Sequence, residues 1–290
     1  MVVIKGADIT TDSAIKIAKQ HGISEFLIGL TIVALGTSLP ELASSLTAVS
    51  LGTPELAVSN ILGSNIANIG LVLGIAAILF SKCIRCNVLK KDIYFLMFSV
   101  IATIVAFMDY MLTFTEGMLF IAIYLTYITW SIRSHKKTKK RKTEPAKVND
   151  MILLIVGLSA LTIGASYLIS SGIGILTALG ISKSAFGFIF IAVGTSLPEL
   201  TASLMAMKKR HHSLAIGNII GSNLFNTFVV FGAMAGMRAI PVVKTFYVTA
   251  MPILVILTLL LYMSIERKKL TRFDGMIFLL LYIVSIIRVF

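Results

Sequence analysis

One phrase of 15 residues occurs twice in this chain, and the repetition restricts the folds that are open to it. The phrase reads ALGTSLPELASSLTA at 34–48 and AVGTSLPELTASLMA at 192–206, with 11 of 15 positions identical. The spacing of 158 residues extends beyond the phrase without a gap, since GADITTDSAIKIAKQHGIS at 6–24 aligns with GASYLISSGIGILTALGIS at 164–182. The chain is therefore predicted to consist of two homologous halves.

The composition predicts that both halves lie in a membrane. Of 290 residues, 57% are hydrophobic and 13% are charged, with a mean hydropathy of +0.94, whereas a typical soluble domain has about 25% charged residues. At about 20 residues per helical span, the length allows roughly eight to ten spans. The only cysteines, Cys83 and Cys86, exclude a disulfide framework, and a single C-x-x-C pair is weak support for a metal or redox role.

Apolar runs bounded by charged or turn residues predict where the helices lie. Nine spans are expected, at 23–51, 56–80, 93–108, 112–132, 151–173, 185–207, 214–237, 246–264 and 273–290. The more polar stretch 1–22 is interpreted as the end of a tenth span. Because Met1 aligns with Ser159 in the repeat, we expect this first span to be short or truncated.

Basic residues concentrate in alternate loops and so predict the orientation. They include Lys16, Lys19, Lys82, Arg85, Lys90, Lys91, the run 133–147, Lys208, Lys209, Arg210, Arg267, Lys268, Lys269 and Arg272. The positive-inside rule makes this face cytoplasmic, with the loop 133–150 on it. The net charge of +13 is then explained by topology, and no nucleic-acid partner is expected.

Five spans per half, an odd number, make the two halves inverted relative to each other. The first half is 1–132, the basic loop is 133–150 and the second half is 151–290. The expected fold class is an all-α membrane protein, an inverted repeat of two five-helix halves with about ten transmembrane helices. Inverted repeats place a binding site at their interface near the bilayer midplane, which is the architecture of secondary transporters.

The repeated GTSLPE segment predicts a pair of cation-binding acids. Pro40 and Pro198 should kink their helices and release backbone carbonyls. Glu41 and Glu199 follow at mid-span depth, where a charged acid costs about 2.5 to 3.5 kcal/mol, and neither span offers a basic residue. The neighbouring hydroxyls belong to Thr37, Ser38, Thr195 and Ser196. The structural alternative is a protonated glutamate that is hydrogen-bonded within the bundle. This arrangement would have to occur twice, at the same position of each repeat.

The helices that follow add serine and asparagine oxygens. Ser64 with Asn68, and Ser222 with Asn226, are spaced four apart and share one helical face. The glycines around these pairs, such as Gly217 and Gly221, are interpreted as packing contacts. Carboxylate, hydroxyl, amide and carbonyl oxygens suit a hard cation such as Ca²⁺, which takes six to eight oxygen ligands. His21, His135, His211 and His212 are expected in loops, away from this site.

These paired segments resemble the α-repeats of the sodium/calcium exchanger family, within the cation/calcium exchanger superfamily. The resemblance covers nearly the whole chain and implies ten spans, in which the first and sixth helices slide across a core of the second, third, seventh and eighth. It implies that Ca²⁺ and Na⁺ bind at Glu41, Glu199, Thr37, Thr195, Ser38, Ser196, Ser64, Ser222, Asn68 and Asn226, with backbone carbonyls of Ala34 and Ala192. Many members have an acid where this chain has Asn226, so two carboxylates are expected here instead of three.

Three functions stay open at this point. A Na⁺/Ca²⁺ antiporter comes first, and a H⁺/Ca²⁺ or other cation antiporter of the same fold comes second. A passive channel or a membrane-embedded enzyme is a distant third, because inverted halves are not needed for a pore and no nucleophile and base are found. The expected partners are the two ions and the lipid bilayer. No resident cofactor is expected, and the oligomeric state is open, with a monomer compatible.

Overall fold

The structure, a computed structural model, describes residues 1–80, 90–135, 148–178 and 194–289. The helices of the first half are α1 (Val2–His21), α2 (Glu25–Ile28), the π-helical stretch Gly29–Val33, α3 (Ala34–Thr37), α4 (Leu39–Ser50), α5 (Pro54–Ala67), the π-helical stretch Asn68–Leu73, α6 (Gly74–Phe80), α7 (Lys90–Ala106) and α8 (Phe114–Ser134). Those of the second half are α9 (Val148–Ala178), α10 (Leu197–Lys208), α11 (His212–Leu224), the π-helical stretch Phe225–Val230, α12 (Phe231–Met237), α13 (Lys244–Glu266) and α14 (Arg272–Val289). Two short strands, β1 (Met111–Leu112) and β2 (Ile240–Pro241), pair antiparallel.

The length and composition of the helices confirm a membrane fold. Within the described ranges, five helices are long and apolar enough to cross a membrane: Pro54–Phe80, Phe114–Ser134, Asn149–Leu168, His212–Met237 and Lys244–Glu266. A sixth span results if the bent pair Glu25–Thr37 and Leu39–Ser50 is counted as one. α1, α7 and α14 are helical where spans are predicted, but they are shorter or carry more charges. The predicted span 185–207 lies partly outside the described residues.

Contacts between loops indicate that the two halves are inverted. β1, after α7, pairs with β2, after α12, so these two loops share one face of the bundle. The repeat equivalent of the β1 loop begins just after Glu266. That residue forms an ion pair of 2.8 Å with Lys90 at the start of α7, a helix length away from β1. Equivalent loops therefore lie at opposite ends of the bundle, as inverted repeats require.

Ion pairs gather at the end of the bundle that holds Lys90. They join Lys16 to Asp150, Lys90 to Glu266, His135 to Asp92, Lys209 to Asp8 and Asp12, His211 to Glu25, and Arg267 to Asp274. Partial burial by itself lowers the pKa of Lys209, but its hydrogen bonds to Asp12 and Asp8 outweigh this and hold that pKa above its usual value. The end of the bundle that holds these ion pairs is called the ion-pair face, and the opposite end, which holds β1 and β2, is called the strand face.

Glycines let the two halves meet backbone to backbone. A Cβ atom added at Gly217 would collide with the carbonyl oxygen of Phe26, and one added at Gly221 would collide with that of Leu30. α11 therefore packs directly on α2 and the π-helical stretch that follows it. The interpretation of these glycines as packing contacts is confirmed, and small residues serve the same purpose between other membrane helices.

The stretch 1–22, interpreted from the sequence as the end of a tenth span, forms the 20-residue helix α1, which packs along α9. At Gly6, an added Cβ would lie 2.8 Å from the backbone nitrogen of Leu161 and 3.0 Å from the carbonyl oxygen of Gly157. At Gly157, an added Cβ would lie 2.8 Å from the backbone nitrogen of Thr10. The first helix of each half thus lies against its repeat equivalent.

Gly221→Ala is expected to destabilise the protein by about 1–3 kcal/mol, the usual cost of overpacking a tight contact. The apparent melting temperature of the purified protein in detergent measures the effect. Gly236→Ala is the matched control, because the nearest atom to its added Cβ is the terminal methyl carbon of Met118 at 3.4 Å, and it should melt like the unmodified protein. Equal melting of the two variants would contradict the close backbone contact.

Candidate cation site

Two glutamates occupy equivalent positions at the starts of two short helices. Glu41 lies in the first turn of α4 and Glu199 in the first turn of α10, and each helix has 12 residues with proline at its start. Both carboxyl groups are fully buried. A helix N-terminus favours a negative charge, so the broken-helix geometry offsets part of the cost of burying these acids.

The kink predicted at Pro40 is present. The helix axis bends by 42° between Glu25–Thr37 and Leu39–Ser50, and Ser38 at the break leaves the helical region with ψ near 6°. Ser196 has nearly the same backbone angles. Proline is tolerated in the first turn of the new helix because its missing N–H would have no partner there.

Two equivalent hydrogen-bond relays hold the threonines of the repeated segment. Thr37 donates to Oδ1 of Asn218 at 3.2 Å, and the amide of Asn218 donates to Ser203 at 3.0 Å. In the other half, Thr195 donates to Oδ1 of Asn60 at 3.2 Å, and Asn60 donates to Ser45 at 3.1 Å. Each relay crosses between the halves, so the threonine of one half is positioned by the asparagine of the other.

Hydroxyls of both halves also surround Glu199. Ser38 donates to Oε1 of Glu199 at 2.8 Å, and Ser222 donates to the same oxygen at 3.3 Å. Ser222 lies 3.4 Å from the hydroxyl of Thr37, and the equivalent pair, Ser64 and Thr195, lies at 3.3 Å. Thr37, Ser38 and Ser222 therefore lie together beside Glu199, and Ser64 lies beside Thr195.

Several buried side-chain oxygens of the predicted residues and of Asn65 have no hydrogen-bond partner within the described part of the chain. They are both carboxyl oxygens of Glu41, Oε2 of Glu199, the hydroxyl of Ser196 and the amide oxygens of Asn65, Asn68 and Asn226. A buried polar atom without a partner costs about 1–3 kcal/mol. A group of oxygens that accept no internal hydrogen bond has the chemistry of a ligand set for a hard cation.

Ten of the twelve predicted site residues are buried: Thr37, Ser38, Glu41, Ser64, Asn68, Thr195, Ser196, Glu199, Ser222 and Asn226. The carbonyl oxygen of Ala34 accepts hydrogen bonds from the backbone N–H of Ser38 at 3.0 Å and the hydroxyl of Thr37 at 3.3 Å. Ala192 lies outside the described residues.

Other polar residues close to the candidate site were not predicted from the sequence. They are Asn60, Asn218, Ser45, Ser203, Asn65, Asn223 and Thr227, all buried. Six of the seven form three pairs of identical residues at the same spacing of 158, so the repeat itself was the signal that would have found them. Thr227 has no such partner, since position 69 is isoleucine.

The expectation that all four histidines lie in loops was wrong in part, because His21 and His212 belong to helices. His135 caps α8 and is buried, with its ring stacked on Phe26 and its Nε2 3.4 Å from Asp92. Sequence alone could not show that a residue at a helix end is covered by a neighbouring helix.

In the described residues, no group of three or more His, Cys, Asp or Glu side chains could hold a metal ion.

A cavity of about 640 Å³ lies beside the site. Pro40, Thr195 and Pro198 border it, and its wall continues between α4 and α9 to Thr53 and Leu56. Thr53 lies in the turn between α4 and α5, and Leu56 lies in the first turn of α5, both on the strand face. The cavity thus extends from Thr195 toward the strand face.

Inverted halves with paired acids buried between them define the class of inverted-repeat membrane transport proteins. The chain belongs to the sodium/calcium exchanger family, whose profile, described as sodium/calcium exchanger protein, matches residues 1–133 and 150–290. It is 30% identical to the sodium/calcium exchanger MaX1 of Methanosarcina acetivorans, over 99% of this chain and 95% of that protein. An uncharacterized membrane protein of Methanocaldococcus jannaschii is 34% identical, over 97% and 92% of the two chains.

A solved structure supports the same fold. The sodium-calcium exchanger NCX_Mj, soaked with 100 mM Na⁺ and 10 mM Sr²⁺, superposes with a TM-score of 0.89 at 33% sequence identity. The match covers 99% of this chain and 94% of that one. The predicted family and the predicted fold class are both confirmed.

Ser38→Ala and Ser196→Ala should differ in ion-free buffer. Ser38→Ala removes a donor to Glu199, so it should lower stability by about 1–3 kcal/mol. Ser196→Ala removes a buried hydroxyl that has no partner among the described residues, and it should leave stability unchanged or slightly higher. Melting temperatures without added Na⁺ or divalent ions provide the measurement. A larger loss for Ser196→Ala would show that the hydrogen bonds around the two glutamates are assigned to the wrong half.

Proposed function

We propose that this protein is a secondary antiporter that exchanges Na⁺ for Ca²⁺ at the site between its two halves. The observation that carries the proposal is the pair of buried, repeat-equivalent carboxyl groups at Glu41 and Glu199, surrounded by uncharged oxygens from both halves. No lysine or arginine in the described residues pairs with either acid. The positive charge that balances them then comes from the transported ions.

The ligand chemistry favours Ca²⁺ as the divalent substrate. Two ionised carboxylates supply two negative charges, and serine, threonine and asparagine side chains supply neutral oxygens. Ca²⁺ accepts six to eight such oxygens in flexible geometry, whereas Mg²⁺ demands a near-ideal octahedron and releases its water reluctantly. The relatives named as sodium/calcium exchangers support the same choice.

Na⁺ is the proposed counter-ion because the same oxygens suit a hard monovalent cation. Competition for one set of carboxylates couples the two ions: each replaces the other because a low-dielectric site does not hold an uncompensated charge of either sign. Protons are the second candidate, since two buried glutamates can be neutralised by protonation as well.

Alternating access is proposed from the packing of the helices. The cavity extends from Thr195 toward the strand face, while the ion pairs lie together at the opposite face. α1 and α9 pack against each other backbone to backbone, and the family resemblance implies that the first and sixth helices slide. A shift of this pair would close the cavity and open a path on the ion-pair face.

Glu41→Gln and Glu199→Gln should each abolish Na⁺-driven Ca²⁺ uptake. Each change removes one of the two charges that compensate for dehydration of a divalent ion. The assay uses proteoliposomes with a Na⁺ gradient and equal pH on both sides, and Glu55→Gln serves as the matched control because Glu55 is exposed at the start of α5.

The outcomes of this assay separate the candidates. Near-normal uptake in either glutamine variant would refute the site. Uptake by the unmodified protein that ignores the Na⁺ gradient but follows an imposed pH gradient would replace Na⁺ by H⁺ as the counter-ion. If Ca²⁺ enters without a Na⁺ or pH gradient, and only down its own concentration gradient, the protein would be a passive channel.

The exchange is expected to move net charge, with three Na⁺ per Ca²⁺ as the family resemblance implies. One net charge moved through the membrane corresponds to about 2.3 kcal/mol per 100 mV. Na⁺-driven Ca²⁺ uptake should therefore change when a K⁺/valinomycin potential is imposed at matched ion gradients. Uptake that ignores the potential would show electroneutral exchange, in which two Na⁺ balance the two carboxylates.

The ion-pair face is proposed to be cytoplasmic, on the strength of its basic loops. In a protein whose Cys83 and Cys86 are replaced by serine, Lys140→Cys should be protected from a membrane-impermeant thiol reagent in intact cells. Met108→Cys, an exposed position near β1, should be labelled. The reverse pattern would invert the whole assignment.

A further inference from the structure

Four asparagines lie where the two halves meet, and they are equivalent in pairs. Asn65 corresponds to Asn223, and Asn68 corresponds to Asn226, each at a spacing of 158. All four are buried. A symmetric interface would give them the same hydrogen bonds, so any difference between the pairs must come from a difference in the residues around them.

In the first half, the amide of Asn68 is fixed. Its Nδ2 donates to Oδ1 of Asn223 at 2.9 Å, and Nδ2 of Asn223 donates to the carbonyl oxygen of Asn65 at 3.3 Å. The Oδ1 atom of Asn68 has no hydrogen-bond partner in the described ranges. The Asn68 amide is thus held by its nitrogen and offers its oxygen, which is the geometry of a preorganised ligand.

In the second half, the equivalent bonds are not formed between the described residues. The Nδ2 atom of Asn65 donates to the hydroxyl of Thr227 at 3.1 Å instead of to the carbonyl oxygen of Asn223. Neither Nδ2 nor Oδ1 of Asn226 has a hydrogen-bond partner among the residues that the structure describes. Within the described residues, the Asn226 amide is therefore held by neither of its polar atoms.

The sequence explains the difference through one position. The repeat equivalent of Thr227 is Ile69, which has no hydrogen-bonding group, so Asn223 remains available to Asn68. Thr227 is buried, and its hydroxyl accepts a hydrogen bond from Nδ2 of Asn65. This bond turns the Asn65 amide away from the orientation in which its oxygen would accept from Asn226 and clamp that amide. Both residues are β-branched, and isoleucine has an ethyl group where threonine has its hydroxyl, so only Thr227 can take part in a side-chain hydrogen bond.

We propose that Thr227 is a positioning residue that keeps Asn226 unclamped, so that the site combines one fixed amide ligand with one adaptable one. The inference rests on the proposed function, because it requires the transported cation to meet both amides. Ordering the Asn226 amide on ion binding has an entropic cost that lowers affinity. A transporter benefits from this cost, because an ion that binds too tightly leaves too slowly.

The test compares Thr227→Val with Thr227→Ser in the proteoliposome assay. Valine removes the hydroxyl at nearly constant shape, so Asn65 should turn to the symmetric arrangement and clamp Asn226. The half-saturating Ca²⁺ concentration should then fall about threefold or more, by preorganisation of a ligand, without a rise in maximal rate. Thr227→Ser keeps the hydroxyl and should match the unmodified protein.

The reciprocal change, Ile69→Thr, should draw Asn223 away from Asn68 and raise the half-saturating Ca²⁺ concentration. The Ca²⁺ dependence of the melting temperature in detergent reports the same affinities without transport. An unchanged or higher half-saturating concentration in Thr227→Val, or a serine variant that behaves like the valine variant, would overturn the proposal. If Thr227→Val does not fold, an unchanged affinity in Ile69→Thr overturns it.

This design separates the inference from the function on which it rests. If the unmodified protein shows no Na⁺-driven Ca²⁺ uptake and no stabilisation by Ca²⁺, the proposed function is wrong and the inference falls with it. If the unmodified protein exchanges the ions but the Thr227 and Ile69 variants do not differ from it, only the inference is wrong.

Discussion

The structure depends on two carboxyl groups buried in a low-dielectric bundle without a basic partner among the described residues. A charged acid at the centre of a membrane helix costs about 2.5 to 3.5 kcal/mol, and this chain places one at each of two equivalent positions, Glu41 and Glu199. The broken helices offset part of that cost, because each acid lies in the first turn of a new helix, where the backbone dipole favours negative charge. The remaining stabilisation is the role proposed for the transported cations.

Holding the two acids together requires a tight interface between the halves. Gly217 and Gly221 let α11 approach α2 so closely that no side chain fits between their backbones. The threonine–asparagine relays then cross this interface, so that neither half completes its part of the site alone. Close packing and polar contacts therefore depend on each other. The glycines bring the helices close enough for the relays to form, and the relays hold the threonine hydroxyls in place.

The sequence predicted the fold well because its two strongest signals are local and repeated. Apolar runs located the helices, and ten of the residues predicted for the site are buried. Asn60 and Asn218 were not predicted because the acids, and not the repeat, guided the choice of residues. The direction of individual hydrogen bonds, such as Ser38 to Glu199, could not be predicted, since it depends on sub-ångström placement across the interface. The burial of His135 depends in the same way on packing against Phe26.

Small departures from symmetry carry functional weight in an inverted repeat. Two identical halves would give the outward-open and inward-open arrangements equal free energy, because exchanging the halves converts one arrangement into the other. Glu199 accepts hydrogen bonds from Ser38 and Ser222, and Thr227 stands opposite Ile69 in the alignment of the halves. In the alternating-access mechanism proposed above, such differences bias the equilibrium between the two arrangements. The same few residues that make the halves unequal are therefore where a preferred resting state would be encoded.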